Sequence, residues 1–253
     1  MKFLRFRDAE NQVRYGVLTG QMIRHVKGDI FGDYQITDRA CPLEDVHLLA
    51  PVEPSKVLCI GLNYRDHAVE FGKPIPEEPL VFLKPSTSVI GPEENIVYPL
   101  QTQNLHYEVE LAVVIGKKAK NVVQSEAAEY ILGYTVGNDV TARDLQHKDG
   151  QWSRAKGFDT FCPLGPWIET DVANPDNLAV KLTLNGEVRQ NSNTKNLVFR
   201  CFELVEYLSA IMTLLPGDVI MTGTPGGIGA MNPGDRVEAH IEKIGVLRNY
   251  IIK

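Results

Sequence analysis

The chain has 253 residues, of which 43% are hydrophobic and 23% are charged, and its formal net charge is −6. This length fits one large domain, or a small leading domain followed by a main one. The acidic balance provides no basic surface for nucleic acid or for an anionic membrane. No apolar run approaches the ~20 residues of a membrane span, and the charged first ten residues lack the apolar region of a secretory signal.

The four cysteines are far apart in the sequence, and none forms a Cys-x-x-Cys pair: Cys41, Cys59, Cys162 and Cys201. This spacing argues against a cysteine zinc site and against a disulfide framework. We therefore expect reduced thiols in a cytoplasmic protein.

The first part of the chain is predicted to be rich in β-structure. KFLRFR and VRYGVLT flank a polar turn at residues 8–11, which is typical of a β-hairpin. Short strands continue from there, and Pro51 and Pro54 indicate a boundary. We expect a small β-rich N-terminal unit over residues 1–52 and a main unit over residues 53–253.

The main unit is predicted to contain many short elements. Its first half is expected to hold strands at 56–61, 79–85, 108–116 and 133–140, helices at 62–71 and 125–132 (with Ser125 as N-cap), and a proline-rich loop at 72–79. In its second half, Asn185-Gly186 predicts a hairpin over 182–189. Helical spacing of apolar residues predicts a helix over 197–214, and late strands are expected at 218–222 and 236–241. Because strands outnumber helices without regular βαβ alternation, we predict a β-dominated α+β fold rather than a doubly wound sheet.

Two glutamates provide the first candidate site. Glu108 and Glu110 are two residues apart in a predicted strand, so their side chains point to the same face. Two like charges on a half-buried strand repel each other and need compensation. A hard divalent cation such as Mg²⁺, which prefers oxygen ligands, would supply it. From the spacing alone, a solvated strand face remains the alternative.

Asp139 ends the apolar stretch GYTVGNDV, where a charge is unexpected unless it has a partner. It is either a third metal ligand or a simple helix N-cap. His67 and Glu70 are three residues apart on a predicted helix and so share a face. A carboxylate beside an imidazole raises its basicity and fixes its tautomer, although such a pair can also lie on the surface with little energetic consequence.

Two lysines and a glycine-rich turn complete the candidates. Lys84 and Lys156 lie between apolar neighbours, where negative charge would draw them inward; the alternative is a surface lysine with a buried stem. The turn TGTPGGIG offers the Thr224 hydroxyl and the backbone of Gly223, which a ligand can approach closely. No Gly-Lys-Ser/Thr follows, so the turn is not a phosphate loop.

Six segments, taken in order, resemble the fumarylacetoacetate hydrolase family. They are GLNYRDHAVE (61–70), VFLKPSTSVIGP (81–92), HYEVELAVVIG (106–116), GYTVGNDVTARDLQ (133–146), WSRAKGFDTFCPLGPWI (152–168) and GDVIMTGTPGGIG (217–229). They cover most of residues 56–241, and the short leading unit resembles that of bacterial members. The large N-terminal domain of true fumarylacetoacetases has no counterpart here, which argues against fumarylacetoacetate itself as the substrate.

The resemblance implies a mixed β-roll fold with a few peripheral helices, and a homodimer. It also implies a metal held by Glu108, Glu110 and Asp139, with Mg²⁺ expected and Mn²⁺ or Ca²⁺ as alternatives that accept the same ligands. In relatives a His–Glu pair at the position of His67 and Glu70 activates water, and the region around residues 72–79 acts as a lid.

The resemblance further assigns roles to residues around this site. It places Lys156 near the metal carboxylates and Lys84 near the substrate, where their ammonium groups would stabilise an enolate or oxyanion. The other residues expected to contact substrate are Tyr64, Arg65, Gln146, Gly223 and Thr224. Arg143 is expected either to contact substrate or to be a partner of the acidic cluster.

The expected function is metal-dependent hydrolysis or decarboxylation at a C–C bond of a small 2-oxo acid, of the acylpyruvate or oxaloacetate type, through a metal-stabilised enolate. Isomerisation of a 2-hydroxy or 2-oxo dienedioate, as in homoprotocatechuate-type aromatic catabolism, uses the same enolate and is the first alternative. A non-catalytic protein that binds metal or ligand is the second. Resemblance at the level of the fold cannot choose between these outcomes.

Overall fold

The computed structural model describes residues 1–66, 72 and 74–253. Half of the predicted helix at 62–71, including His67 and Glu70, lies outside the described residues. The described part of the predicted loop, residue 72 and residues 74–79, contains neither a helix nor a strand, as expected.

The described part of the chain is built mainly from short strands, which confirms the β-dominated α+β class. The strands are β1 (Lys2–Arg7), β2 (Val13–Thr19), β3 (Met22–Gly28), β4 (Tyr34–Pro42), β5 (His47–Leu49), β6 (Val57–Gly61), β7 (Leu80–Lys84), β8 (Val89–Ile90), β9 (Asn95–Val97), β10 (Leu105–Tyr107), β11 (Val109–Ile115), β12 (Ile131–Asn138), β13 (Thr141–Ala142), β14 (Cys162–Glu169), β15 (Ala179–Leu184), β16 (Glu187–Asn193), β17 (Val219–Met221), β18 (Gly229–Met231), β19 (Arg236–Ile241) and β20 (Gly245–Ile252). The α-helices that lie wholly within the described residues are α1 (Arg143–Asp149), α2 (Ser153–Lys156) and α3 (Cys201–Ile211), and 3₁₀ helices lie at Leu43–Asp45, Ser86–Ser88, Gln124–Tyr130 and Thr194–Asn196.

The largest sheet runs through the whole molecule in the order β4-β3-β2-β1-β14-β12-β11-β17-β6-β7, with β5 and β8 attached at its sides. The first four strands form one end of it. Strand β1 pairs antiparallel with β14, bringing Lys2 opposite Glu169 and Phe3 opposite Ile168. The N-terminal hairpins therefore continue the sheet of the main unit.

Strand β11 lies near the middle of this sheet, and all of its residues are buried. Val109, Leu111 and Val113 pack into one apolar core, whereas Ala112 and Val114 pack into another on the opposite face. This alternation follows from the two-residue period of a strand. A strand buried on both faces explains why the sequence from 111 to 115 is an uninterrupted apolar run.

The remaining strands form a five-stranded sheet in the order β16-β15-β19-β20-β9 and a three-stranded sheet in the order β13-β10-β18. The predicted hairpin connects β15 and β16. Asn185 and Gly186 both have positive φ, 53° and 85°, as the favoured two-residue hairpin turn requires.

The predicted α-helix at 125–132 is wrong. Residues Gln124–Tyr130 form a 3₁₀ helix whose N-cap is Val123 rather than Ser125, and it makes no side-chain capping bond. Ala127 is the one buried residue of this segment, so an α-helix there would bury little apolar surface. Strand β12 begins immediately afterwards and ends the segment.

The predicted helix at 197–214 is present but shorter. Helix α3 begins after Arg200, whose backbone N–H donates to the Glu203 carboxylate at 2.6 Å. Leu197 and Leu214, at the two ends of the predicted span, instead form β-bridges with Tyr64 and Ala119. Tertiary pairing therefore overrides the apolar spacing at both ends.

The four cysteines are free thiols, and Cys59, Cys162 and Cys201 are buried. Among the residues that the structure describes, no helix has the length and apolar character needed to cross a membrane.

Candidate active site

Three carboxylates converge where two central strands lie side by side. Glu108 directly precedes β11, Glu110 is the second residue of that strand, and Asp139 follows β12. The strands are antiparallel, so the start of β11 lies beside the end of β12, and the Asp139 N–H donates to the Glu108 carbonyl at 2.8 Å. One carboxylate oxygen from each residue lies within 4.8 Å of the others.

All three side chains are shielded from solvent. The exposed fractions of Glu108, Glu110 and Asp139 are 5%, 2% and 0%. The alternative of a solvated glutamate face is therefore wrong. Burying three like charges together is costly unless cations compensate them.

Two cationic side chains, Lys156 and Arg143, contact the carboxylates and also line the cavity described below. The Lys156 ammonium donates to Glu108 Oε2 at 2.9 Å and to Asp139 Oδ2 at 2.5 Å. The Arg143 guanidinium donates to Glu108 Oε1 and also to Gln146 Oε1, the latter at 2.5 Å. Arg143 is thus a partner of the acidic cluster, which is one of the two roles expected for it.

Lys84 is the third cation of the cluster. Its side chain is fully buried and is not among the residues that line the cavity, and its expected place near the substrate remains a prediction. Its ammonium donates to Asp139 Oδ1 and to the Val140 carbonyl, the latter at 3.0 Å. The pairing of β7 with β6, which sets Lys84 opposite Val57, places it behind Asp139.

The electrostatic surroundings differ within the cluster. Burial, and then the neighbouring charges of Asp139 and Glu108, raise the pKa of Glu110 well above its ordinary value. The Gly223 N–H donates to Glu110 Oε2 at 2.6 Å and opposes this shift. For Lys156, burial lowers the pKa, but Asp139 and Glu108 outweigh it, and the net shift is upward.

Buried polar atoms without a partner are concentrated around this cluster. In the described residues they are Tyr64 Oη, His106 Nδ1, Asn138 Nδ2 and Arg143 Nε. Asn138 accepts from the Glu108 N–H at 2.9 Å, and Arg143 contacts the same glutamate. Because buried polar groups are normally satisfied, unpaired donors beside three carboxylates suit a hydrated ion or a polar ligand. The oxygen donors and the raised pKa of Glu110 fit a hard divalent cation.

A cavity of about 200 Å³ opens beside the carboxylates. It is lined by Ile60, Gly61, Leu62, Phe82, Glu108, Glu110, Asp139, Arg143, Gln146, His147, Trp152, Lys156 and Thr224. The lining combines charged and polar groups with apolar side chains around a space large enough for a small organic acid.

An aromatic pair forms part of the apolar wall. The rings of Phe82 and Trp152 meet edge to face with centroids 5.1 Å apart. The Lys156 ammonium lies 5.0 Å from the centroid of Phe82, within the range of a cation–π contact. Gly61 lets Trp152 sit close, because a Cβ at this position would lie 2.6 Å from Trp152 Cζ3.

The other predicted contact residues divide into two groups. Gln146 and Thr224 line the cavity, and the Thr224 hydroxyl accepts from Gln190 Nε2 at 2.9 Å. Tyr64 is buried outside the lining, and Arg65 donates to the Leu197 carbonyl at 3.3 Å. Their contact with substrate remains a prediction.

The Gly223 N–H donates to Glu110, and contact of Gly223 with substrate remains a prediction. Phe82, Trp152 and His147 also line the cavity and were not among the predicted site residues. Phe82 and Trp152 lie within the matched segments VFLKPSTSVIGP and WSRAKGFDTFCPLGPWI, so an aromatic residue close to each candidate lysine was the available signal.

Comparison with known proteins places this geometry in a family. Residues 56–252 match the family described as fumarylacetoacetate (FAA) hydrolase C-terminal, and residues 1–51 match the one described as Rv2993c-like, N-terminal. The chain belongs to the fumarylacetoacetate hydrolase family.

Several named members of the fumarylacetoacetate hydrolase family are similar over most of their length. The oxaloacetate tautomerase FAHD2A, mitochondrial, of Bos taurus is 45% identical over 223 residues, covering 83% of this chain and 71% of the relative. A solved 5-carboxymethyl-2-hydroxymuconate delta-isomerase from Mycobacterium smegmatis is 47% identical with a TM-score of 0.94, covering 100% of this chain and 99% of the other. A 2-hydroxyhepta-2,4-diene-1,7-dioate isomerase from Mycobacterium marinum is 44% identical with a TM-score of 0.93, covering 100% and 98%.

Proposed function

We propose that this family member is a metal-dependent enzyme that forms an enolate from a small 2-oxo acid. The observation that carries the proposal is the convergence of Glu108, Glu110 and Asp139, buried and within 4.8 Å of one another, beside a cavity of about 200 Å³. Burial of three carboxylates at the edge of a cavity is costly for stability, and it is explained if the site serves binding and catalysis.

The proposed ion is Mg²⁺ or Mn²⁺, with Ca²⁺ as an alternative, held by the three carboxylates. Such an ion, once bound, would act as a Lewis acid toward the keto oxygen and the charge that develops there. Lys156, whose ammonium lies at the cavity, holds a proton next to the reacting atoms. Gln146 and Thr224 are positioned to orient the substrate carboxylate, and Phe82 and Trp152 exclude water from one side.

The first candidate for the net reaction is cleavage of a C–C bond. In hydrolysis of an acylpyruvate, a water molecule would attack the distal carbonyl after losing a proton to His67, supported by Glu70. The bond between that carbonyl and the adjacent carbon would then break, leaving the enolate and a carboxylic acid. In decarboxylation of oxaloacetate, CO₂ leaves and no attacking water is required.

The second candidate is keto–enol tautomerisation or isomerisation of a dienedioate. The relatives named oxaloacetate tautomerase and the two solved isomerases favour it. Here a proton is removed from the carbon beside the keto group and returned to oxygen or to another carbon. Formation of the enolate is the step that both candidates share: it arises from C–C bond cleavage in the first and from removal of a proton in the second.

The test is a screen of acetylpyruvate, oxaloacetate and a 2-hydroxymuconate-type acid, with Mn²⁺ added and withdrawn, followed by NMR of the products. His67→Ala is compared with His47→Ala, a variant of an exposed histidine on β5. Loss of acylpyruvate hydrolysis with decarboxylation or tautomerisation retained, in His67→Ala alone, supports the dyad. If His67→Ala hydrolysed acylpyruvate at the wild-type rate, His67 would not be the base that activates water.

A non-catalytic binding protein is the rival from another class. A rise in melting temperature with Mn²⁺ and oxalate, without conversion of any 2-oxo acid, would favour a binding protein over an enzyme.

We also propose that the protein works as a homodimer in the cytoplasm, on the strength of its family. Light scattering during gel filtration tests the dimer, and fractionation of cells tests the location.

A further inference from the structure

Gln190, on β16, is a buried amide that contacts one residue of the cavity lining, Thr224. The register of the β15–β16 hairpin explains its burial. Leu182, itself buried, pairs with Gln190, whereas the next residue of β15 pairs with Val188. Arg189 is therefore the extra residue of a β-bulge. Because residues opposite each other on antiparallel strands share a face, the bulge places Gln190 rather than Arg189 beside Leu182 in the interior.

All of the polar atoms of the Gln190 side chain have partners. Its Oε1 accepts from the Val109 N–H at 3.0 Å, and its Nε2 donates to the Pro225 carbonyl at 2.8 Å and to Thr224 Oγ1 at 2.9 Å. A backbone N–H can only donate, and a carbonyl oxygen can only accept. Val109 and Pro225 therefore fix which end of the amide is the oxygen and which is the nitrogen.

This orientation determines the role of the Thr224 hydroxyl. A hydroxyl group has one hydrogen and two lone pairs, so in general it can both donate and accept. Since the amide nitrogen of Gln190 faces it, the Thr224 oxygen must accept in this contact. In the described part of the chain, no hydrogen bond of Thr224 uses its hydroxyl hydrogen. Thr224 lines the cavity, where a ligand oxygen can accept that hydrogen.

Gln190 also joins the turn that carries Thr224 to the strand that carries two of the acidic residues. The Gly223 N–H donates to Glu110 Oε2 at 2.6 Å, which links the two segments at one position. At the next position the link is the Gln190 amide, which binds the Val109 N–H at one end and Thr224 at the other. The hydroxyl is therefore held in place relative to the acidic cluster as well as fixed in direction.

We propose that Gln190 is a positioning residue that commits the Thr224 hydroxyl to donating, so that this side of the cavity recognises a carboxylate or keto oxygen of the substrate. The inference rests on the proposed function, in which Thr224 orients the substrate carboxylate. Gln190 lies outside the cavity lining and acts only through Thr224. A ligand group that can only donate, such as an ammonium, would find no acceptor in this hydroxyl while Gln190 occupies it.

The test is a double-mutant cycle on the affinity for oxalate, a small chelating dianion, measured by isothermal titration calorimetry at saturating Mn²⁺. Thr224→Val removes the hydroxyl with little change in shape, and Gln190→Met removes the amide. The two changes are made singly and together. A cycle of this kind separates an effect that passes through the hydroxyl from an independent one.

Two further variants complete the set. In Gln190→Asn the amide is one methylene shorter, so it cannot reach Val109 and Thr224 together. Asn249→Leu is the matched control. Asn249 is also a buried amide and donates to two backbone carbonyls, each at 2.9 Å, but it does not line the cavity.

Thr224→Val is expected to weaken oxalate binding at least about tenfold, because a charged acceptor loses its donor. Gln190→Met is expected to weaken it about three- to tenfold in the wild-type background, but less than about twofold in the Thr224→Val background. A role in packing alone would give the same factor in both backgrounds. Gln190→Asn should show the same pattern with a smaller change, which keeps the test decisive if Gln190→Met does not fold. Asn249→Leu is expected to bind oxalate like the wild type.

Equal factors for the Gln190 variants in the two backgrounds would overturn the inference, as would wild-type oxalate affinity in Gln190→Met or in Thr224→Val. These outcomes leave the proposed function standing, since Mn²⁺ and oxalate still bind to the wild type. Failure of the Mn²⁺-loaded wild type to bind oxalate, together with no conversion of any 2-oxo acid, overturns the proposed function and the inference with it.

Discussion

Glu110 and Asp139 have opposite electrostatic surroundings within one cluster. Asp139 is bound by two ammonium groups, one on each carboxylate oxygen. Glu110 accepts from the Gly223 N–H, and burial together with two neighbouring carboxylates raises its pKa. The two residues are therefore expected to contribute to stability with opposite sign.

Asp139→Asn is expected to destabilise the metal-free protein by about 3–5 kcal/mol, because Lys84 and Lys156 lose their shared counter-charge in a buried site. Glu110→Gln removes a carboxyl group whose ionisation is opposed by burial and by its two acidic neighbours, so the free energy of unfolding should stay constant or rise by about 1 kcal/mol. Urea unfolding of both variants in the presence of a chelator measures this. Equal losses of unfolding free energy in the two variants would contradict the opposite contributions of Asp139 and Glu110 to stability.

The raised pKa of Glu110 also predicts the pH dependence of stability. The unfolded chain releases this proton near its ordinary pKa of 4.5, whereas the folded protein retains it to higher pH. The folded state therefore binds more protons in this range, and stability must fall as pH rises above about 4.5 toward the folded pKa. Glu110→Gln should remove this part of the slope in metal-free urea titrations. A variant with an unchanged slope would show that another group is responsible.

The sequence predicted the residues of the cluster better than it predicted their neighbours. The i, i+2 spacing of Glu108 and Glu110 follows from strand geometry, and the matched segments added Asp139 and Lys156. The burial of Lys84 behind Asp139 depends on the pairing of β6 with β7, which separate segments of the chain bring together. No local pattern encodes that contact.

At the scale of the element, α2 is the helix whose position matters most to the site. With four residues it has no helical stability of its own. Its end carries Lys156, whose N–H donates to the Trp152 carbonyl at 3.0 Å. The Trp152 ring contacts Phe82 on β7 and packs against Gly61. These two contacts therefore position Lys156.

Gly61→Ala tests the close packing of the Trp152 ring against residue 61. The added Cβ would lie 2.6 Å from the Trp152 ring, so the ring must move, at an expected cost of about 1–3 kcal/mol. The tryptophan emission spectrum should shift, and turnover should fall, because Lys156 moves with the ring. Gly32→Ala is the control, since its nearest neighbour lies at 3.8 Å. Identical emission and stability of the two variants would contradict the role given to Trp152.

The errors in the predicted elements have one physical origin. The 125–132 segment and the ends of the 197–214 segment were assigned from local patterns. At the ends of the 197–214 segment, long-range pairs replaced the helix: Leu197 bridges to Tyr64, and Leu214 to Ala119. At 125–132, the segment buries only Ala127, which is too little to stabilise an α-helix. Elements dominated by local geometry, such as the turn at Asn185-Gly186, were predicted correctly because positive φ is a property of the residues themselves.

At the scale of the whole molecule, one sheet connects the N-terminal strands to the strands that carry the acidic cluster. We propose that residues 1–52 form a unit of their own in sequence but complete the sheet in the fold, because β1 covers the edge of β14. A chain of residues 53–253 would expose that edge, with Ile168 uncovered, and exposed edges promote aggregation. We expect the truncated chain to be less soluble than the full chain in sedimentation assays. A soluble, equally stable truncation would contradict this.

The central claim is that Glu108, Glu110 and Asp139 hold a divalent cation, and the most direct measurement is a Mn²⁺ titration followed by electron paramagnetic resonance. The wild type should bind one ion per chain. Glu110→Gln should weaken binding at least about tenfold, while Glu169→Gln, a change at a buried glutamate on β14 outside the cluster, should not. Absence of Mn²⁺ binding in the wild type, or equal affinity in Glu110→Gln, would contradict the claim.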